Sequence, residues 1–191
     1  MKIQPDRRSA DTPRDPFALA STRVHEAAGP GRRAFALFQA ARHPGPLVWV
    51  LPAHQHQRPL PAGLPQGVAD RLLLIEARSE TDLLWSVEEC LRAGPLGLVL
   101  AEPEKPLSLT AGRRLQLAAE AGRTPGLMLI REGQGSTAAE TRWACDPISA
   151  PWDSTGHQWR LIKNKKGTTG LWTVHWDGTS TTCHMVSEAV Q

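Results

Sequence analysis

Cysteine is scarce. Cys90, Cys145 and Cys183 are the only three in 191 residues, odd in number and far apart, with no C-x-x-C pair. They argue against a disulfide framework and fit a reducing cytoplasm. Long apolar runs are missing as well: none approaches the roughly 18 residues that cross a bilayer. The N-terminal MKIQPDRRSADTPRD lacks the apolar centre of a signal peptide, so neither secretion nor membrane insertion is expected. Charge of one sign is not concentrated anywhere. The net charge is +3 with a pI near 9.0, and the basic residues are spread along the chain. That permits a nucleic-acid or acidic partner without requiring one. There is no internal repeat and no low-complexity segment.

What is present is an ordinary globular composition, 40% hydrophobic, in a length that suits one domain with tails. The most informative stretch is Arg23 to Arg42, RVHEAAGPGRRAFALFQAAR. It reads as a strand, a Gly29-Pro30-Gly31 turn, and a helix opening near Arg33. These are the parts of a phosphate-binding loop, in which backbone N–H groups at a helix N-terminus face an anion. Such a loop also needs a Lys for the β- and γ-phosphates and a Ser or Thr for magnesium. Arg32, Arg33, Ala34 and Phe35 follow Gly31 instead, and the loop is too short to curl around a triphosphate. Gly29, Pro30, Gly31, Arg32 and Arg33, with Glu102, therefore read as a degenerate nucleotide site. An ordinary strand-to-helix turn is the plain alternative.

Along the chain, apolar strands alternate with amphipathic helices. Pro16 to Ala20 is expected as a short helix packing back on the core. Val24 to Ala27 is a strand, and Ala34, Leu37, Phe38 and Ala41 share one face of the helix that ends at Pro44-Gly45-Pro46. Leu47 to Leu51 and Leu72 to Ile75 read as strands buried on both faces. Ser79 caps a helix with Leu83, Leu84, Val87, Cys90 and Leu91 inward, stopped by Gly94-Pro95. Leu96 to Ala101 is another strand, Thr110 caps a helix ending at Gly122, and Gly126 to Ile130 is a strand again. This alternation predicts an α/β fold with a mainly parallel central sheet flanked by helices. Thr141 to Asp146 follows as a strand. Gln158 to Asn164 and Gly170 to Asp177 then form a C-terminal antiparallel hairpin, with Trp172, Val174 and Trp176 on one face. Residues 1–22 are expected as a flexible segment, 23–178 as the domain, and 179–191 as a polar, frayed tail.

Other chemistry is thin. His54 and His56 in the 52–67 loop have no nearby Cys, Asp or Glu to complete a metal site. Glu88 and Glu89 read as solvated surface, and Glu102 as a surface carboxylate rather than a magnesium ligand. Cys90 faces inward on its helix, and Ser136 and Ser154 lie in loops without a placed His partner. Arg160, Lys163, Lys165 and Lys166, beside Trp159 and Trp172, are candidates for binding nucleic acid, because cations follow a phosphate backbone while bases stack on rings. The plainer reading puts those rings in the core and the cations on a solvated hairpin tip.

The order of these segments resembles a RecA-like ATPase core and, more closely, the ImuA family, the RecA-related component of a bacterial damage-inducible mutagenesis cassette. The resemblance rests on Val24-His25-Glu26 before the degenerate loop, on Leu83-Leu84-Trp85-Ser86-Val87-Glu88-Glu89, and on Leu109 to Ala118. Ser136 to Trp143, Trp159 to Lys165 and Trp172 to Asp177 complete it. It implies a RecA-like domain in an accessory protein of SOS-induced error-prone translesion synthesis. The implied partners are an ImuB-type polymerase-like protein and an error-prone replicative-type polymerase, with RecA and single-stranded DNA as further candidates. A SulA-like division inhibitor ranks below that reading. Departures from RecA imply that the chain is not an enzyme and needs no cofactor. The loop lacks its Lys and hydroxyl, and Pro52-Ala53-His54 stands where RecA-like enzymes present the Glu that activates water. The segments matching the RecA DNA-binding loops, Glu102 to Leu109 and Glu132 to Gly135, are short.

Overall fold

Leu47-Val48-Trp49-Val50-Leu51 is apolar at every position because both of its faces are covered. Leu47, Trp49 and Leu51 point into one core, and Val48 and Val50 into a second. The computed structural model describes residues 15–149 and 156–190, without the side chains of 189 and 190. Expectations for residues 1–14 and for Ser154 lie outside the described residues.

The strands are β1 (Val24–Ala28), β2 (Leu47–Pro52), β3 (Leu72–Ala77), β4 (Leu98–Ala101), β5 (Gly126–Leu129), β6 (Thr141–Pro147), β7 (Gly156–Asn164), β8 (Gly170–His175) and β9 (His184–Val190). They make one sheet in the order β3-β2-β4-β5-β1-β6-β7-β8-β9. Every pairing from β3 across to β6 is parallel, and the pairings of β6 with β7, β7 with β8, and β8 with β9 are antiparallel. The helices are α1 (Arg32–Arg42), α2 (Glu80–Ala93) and α3 (Leu109–Gly122). One core lies under α1 and holds Phe35, Phe38, Trp49, Trp143, Trp159 and Trp172. The other lies under α2 and α3, with Leu83, Val87, Leu91, Leu115 and Ala118 against the valines of β2 and β4. The expected α/β class, the parallel sheet and the C-terminal hairpin are therefore present.

Several local expectations need correction. Pro16 to Ala20 is a turn rather than a helix. It still packs back, because Phe17 is buried against Phe38, Trp143, Trp159 and Trp172 with ring centroids 5.2–5.9 Å apart. The β3 strand is not buried on both faces. It ends the sheet, so Leu73 is 60% and Leu74 43% exposed. Ser108, not Thr110, caps α3 by accepting from Ala111 N–H at 3.1 Å. Gly122 lies within α3, and its missing Cβ lets α3 approach the end of α2: a Cβ there would sit 1.9 Å from the Leu91 carbonyl. The tail expected from 179 contributes β9, which zips onto β8 and hides part of that strand's edge. The β9 strand escaped an apolar-pattern reading because its described side chains, 184–188, are all exposed and show no inward-facing alternation.

Candidate functional site

In an open α/β sheet, ligands bind beyond the carboxyl ends of parallel strands. Here that edge is formed by the turn after β1, the loop after β2, the residues after β4 and the end of β5. All of β1 is buried, and the chain leaves it through Gly29 at φ +91. The turn is pressed onto β6. Gly31 N–H donates to the Cys145 carbonyl at 2.8 Å, and a Cβ on Gly29 would stand 2.5 Å from that same oxygen. Only glycine tolerates both this φ and this approach. Arg32 N–H donates to the Gly29 carbonyl at 3.2 Å, and the Arg32 guanidinium donates to it at 3.1 Å. Two of the N–H groups that a phosphate loop would turn outward are thus spent within the chain. The α1 N-terminus has neither a capping side chain nor an acidic residue in its first turn.

Arg33, one residue further on, meets Glu102. Its Nε donates to Oε1 and its Nη2 to Oε2, each at 3.0 Å. Glu102 also accepts from Trp49 Nε1 on Oε1 and from Gln55 Nε2 on Oε2, each at 3.1 Å. At 5% exposure this carboxylate is buried, which corrects the surface-carboxylate expectation. Arg33 reaches Gln57 as well, donating to its Oε1 and its backbone carbonyl at 3.4 Å. One cluster therefore ties together the start of α1, the end of β4 and the loop after β2. A cavity of about 200 Å³ beside it is lined by Arg32, His54, Gln55, Glu102, Pro103, Glu104, Leu129 and Arg131. His54 Nε2 lies 3.0 Å from Glu104, and His56 is exposed. Among the described residues no three His, Cys, Asp or Glu side chains gather where they could hold a metal ion.

The basic hairpin is arranged differently from a base-stacking surface. Trp159 is 0% and Trp172 5% exposed, both in the α1-side core, so the plainer reading of these rings holds. Lys163 Nζ donates to the carbonyls of Ser136 and Thr137 at 3.0 and 2.8 Å, and Lys165 Nζ to that of Ala138 at 2.7 Å. Burial, with Arg142 nearby, holds the Lys163 ammonium below its usual range. Lys166 lies 3.7 Å from Glu140, and Arg160 is exposed. Two of the four candidate cations thus fasten β7 and the turn after it to the 136–138 segment.

Glu26, Glu88 and Glu140 are buried carboxylates as well. Glu26 is fully buried in β1, accepting from Ser136 N–H at 2.8 Å and from Arg142 Nε at 2.7 Å. The sequence carries only half of the signal, a carboxylate inside a strand; its register with Arg142 on β6 comes from the fold. Glu88, expected on the surface, is 8% exposed and is held by Arg92 at 2.6 Å and by Arg114. Ser136 is buried as part of the Glu26 network, and Cys90 is half-buried on α2. Trp85 on α2 is 62% exposed, beside a groove between α2 and α3 lined by Thr81, Leu84, Ala111, Arg114 and Leu115. No helix among the described residues is long and apolar enough to cross a membrane.

No family model matches the chain. The chain is similar to Protein ImuA of Caulobacter vibrioides, in strain NA1000 / CB15N and again in strain ATCC 19089 / CIP 103742 / CB 15. Each is 34% identical over 151 residues. The match takes in 69% of this chain and spans 60% of the length of each of these relatives.

Proposed function

We propose that this chain is an ImuA-family protein with a RecA-like domain, and that it serves damage-inducible mutagenesis without hydrolysing a nucleotide. It acts in the cytoplasm as an accessory subunit of SOS-induced error-prone translesion synthesis. There it binds an ImuB-type polymerase-like protein and, through it or beside it, an error-prone replicative-type polymerase. The likeness to Protein ImuA supports the process. The observation that carries the non-catalytic part is the Arg33–Glu102 pair. The first basic groups of the helix after the glycine turn are turned inward onto a carboxylate and a carbonyl of the same chain. A phosphate loop needs those positions free, with a Lys and a hydroxyl that this turn does not carry. Each missing stabiliser of a phosphoryl transition state removes on the order of a few kcal/mol, enough in combination to stop turnover.

The test has two arms. A pull-down of the ImuB-type partner by the full chain at micromolar concentration is expected to recover the complex, and a failure to associate counts against the binding role. Phosphate release from Mg-ATP is expected to stay at background. Release that Arg33→Ala abolishes would overturn the non-catalytic reading.

A further inference from the structure

The four hydrogen bonds on Glu102 are what a bound oxyanion would receive. Each carboxylate oxygen takes one N–H from the Arg33 fork and a second from Trp49 or Gln55. Such a fork matches a planar two-oxygen acceptor and binds carboxylate and phosphate alike. The carboxylate arrives on the residue just beyond β4, at the strand-end edge where an external ligand would lie. The same cluster holds the loop after β2: Gln55 donates to Glu102, Gln57 accepts from Arg33, and Arg58 ties back to the Ala53 carbonyl at 3.0 Å and to Glu76 at 2.8 Å.

The geometry points to Glu102 as an internal anion that occupies the chain's own oxyanion site and keeps the 53–58 loop fastened over it. While Glu102 is seated, an incoming phosphate meets two carboxylates, Glu102 and Glu104, in the 200 Å³ cavity, and the Arg33 fork has nothing left to give. When Glu102 and the loop leave together, the Arg33 fork and the Trp49 indole N–H are released beside the cavity that Arg32 and Arg131 already line. The crevice is then an autoinhibited anion site. This goes beyond the mutagenesis role and does not depend on it, because it concerns the crevice and not the partner.

Pyrophosphate is the probe, titrated by calorimetry into the full chain. Wild type is expected to give no saturable heat, and Glu102→Ala and Glu102→Gln are expected to bind at least about tenfold more tightly than wild type. Adding Arg33→Ala to Glu102→Ala is expected to remove that gain. Equal, weak binding by wild type and both folded Glu102 variants overturns the proposal, as does tight binding by wild type. Should the Glu102 variants fail to fold, Gln55→Ala/Gln57→Ala/Arg58→Ala leaves the ion pair in place and removes the side-chain ties that the loop itself supplies. Amide exchange at 53–58 is then expected to rise by at least about tenfold, and unchanged exchange refutes the fastening. A failed pull-down with a positive titration rejects the mutagenesis reading alone, and the reverse result rejects this one alone.

Discussion

Arg33 and Glu102 are 69 positions apart in sequence and meet at two points, Nε on Oε1 and Nη2 on Oε2, both at 3.0 Å. The two partners are not equally placed. The Arg33 side chain keeps 28% exposure, and that of Glu102 only 6%. Removing Arg33 strands a buried carboxylate, whereas removing Glu102 leaves a guanidinium that water can reach. Arg33→Ala is therefore expected to cost about 2–4 kcal/mol and Glu102→Ala about 1–2 kcal/mol. Urea unfolding of the two variants checks the order, and equal losses would contradict this account.

Acid should weaken the fold through His25. This residue is 1% exposed, with Nδ1 2.7 Å from Thr141 Oγ1 and Nε2 3.3 Å from the Ala20 carbonyl. Burial lowers its pKa from 6.5 to about 4, against a partial rise from the Ala20 bond. Burial also lowers His43 and His157. The unfolded chain thus takes up protons that the folded chain refuses. Stability is full above pH 6.5 and declines as the pH falls from there toward about 4. His25 alone supplies on the order of 3 kcal/mol of that loss, from about 1.4 kcal/mol per pKa unit. His25→Gln should flatten the slope of unfolding free energy between those pH values.

The hairpin lysines should separate into structural and free ones. Lys163→Met breaks two bonds to the 136–137 carbonyls and is expected to cost about 1 kcal/mol. Lys166→Met, whose side chain is 73% exposed and only 3.7 Å from Glu140, should stay within about 0.5 kcal/mol of wild type. Thermal melts of both variants test the difference.

The sequence displayed most of the fold, because buried parallel strands and amphipathic helices announce themselves by apolar spacing. Val24–Ala28, Leu47–Pro52 and Gly126–Leu129 are of this kind, as are the inner faces of α1 and α2. Position in the sheet was not legible. Nothing in Leu72-Leu73-Leu74-Ile75 says that it closes one end, and edge placement is what exposes two of its leucines. Charge pairing was hidden for a similar reason. Glu26, Glu88 and Glu102 look like surface residues until a partner 116, 26 or 69 positions away is brought beside them. The glycine turn was readable as a turn, but its closure onto Cys145 depends on β6 lying next to β1, which only the three-dimensional order reveals.

That placement of β1 also governs how the molecule can be assembled on a ribosome. The β1 strand finds its neighbours in β5 and β6, both synthesised long after it: Val24 pairs with Gly126, and Ala28 with Ala144. Until those residues have been synthesised, β1 has no lateral partner, and β2, β3 and β4 can gather only as a three-stranded fragment with an open inner edge. Such late, long-range closure slows folding and leaves nascent strands sticky, so yield in the cell should respond to translation speed and chaperone supply more than a helical protein of the same length would.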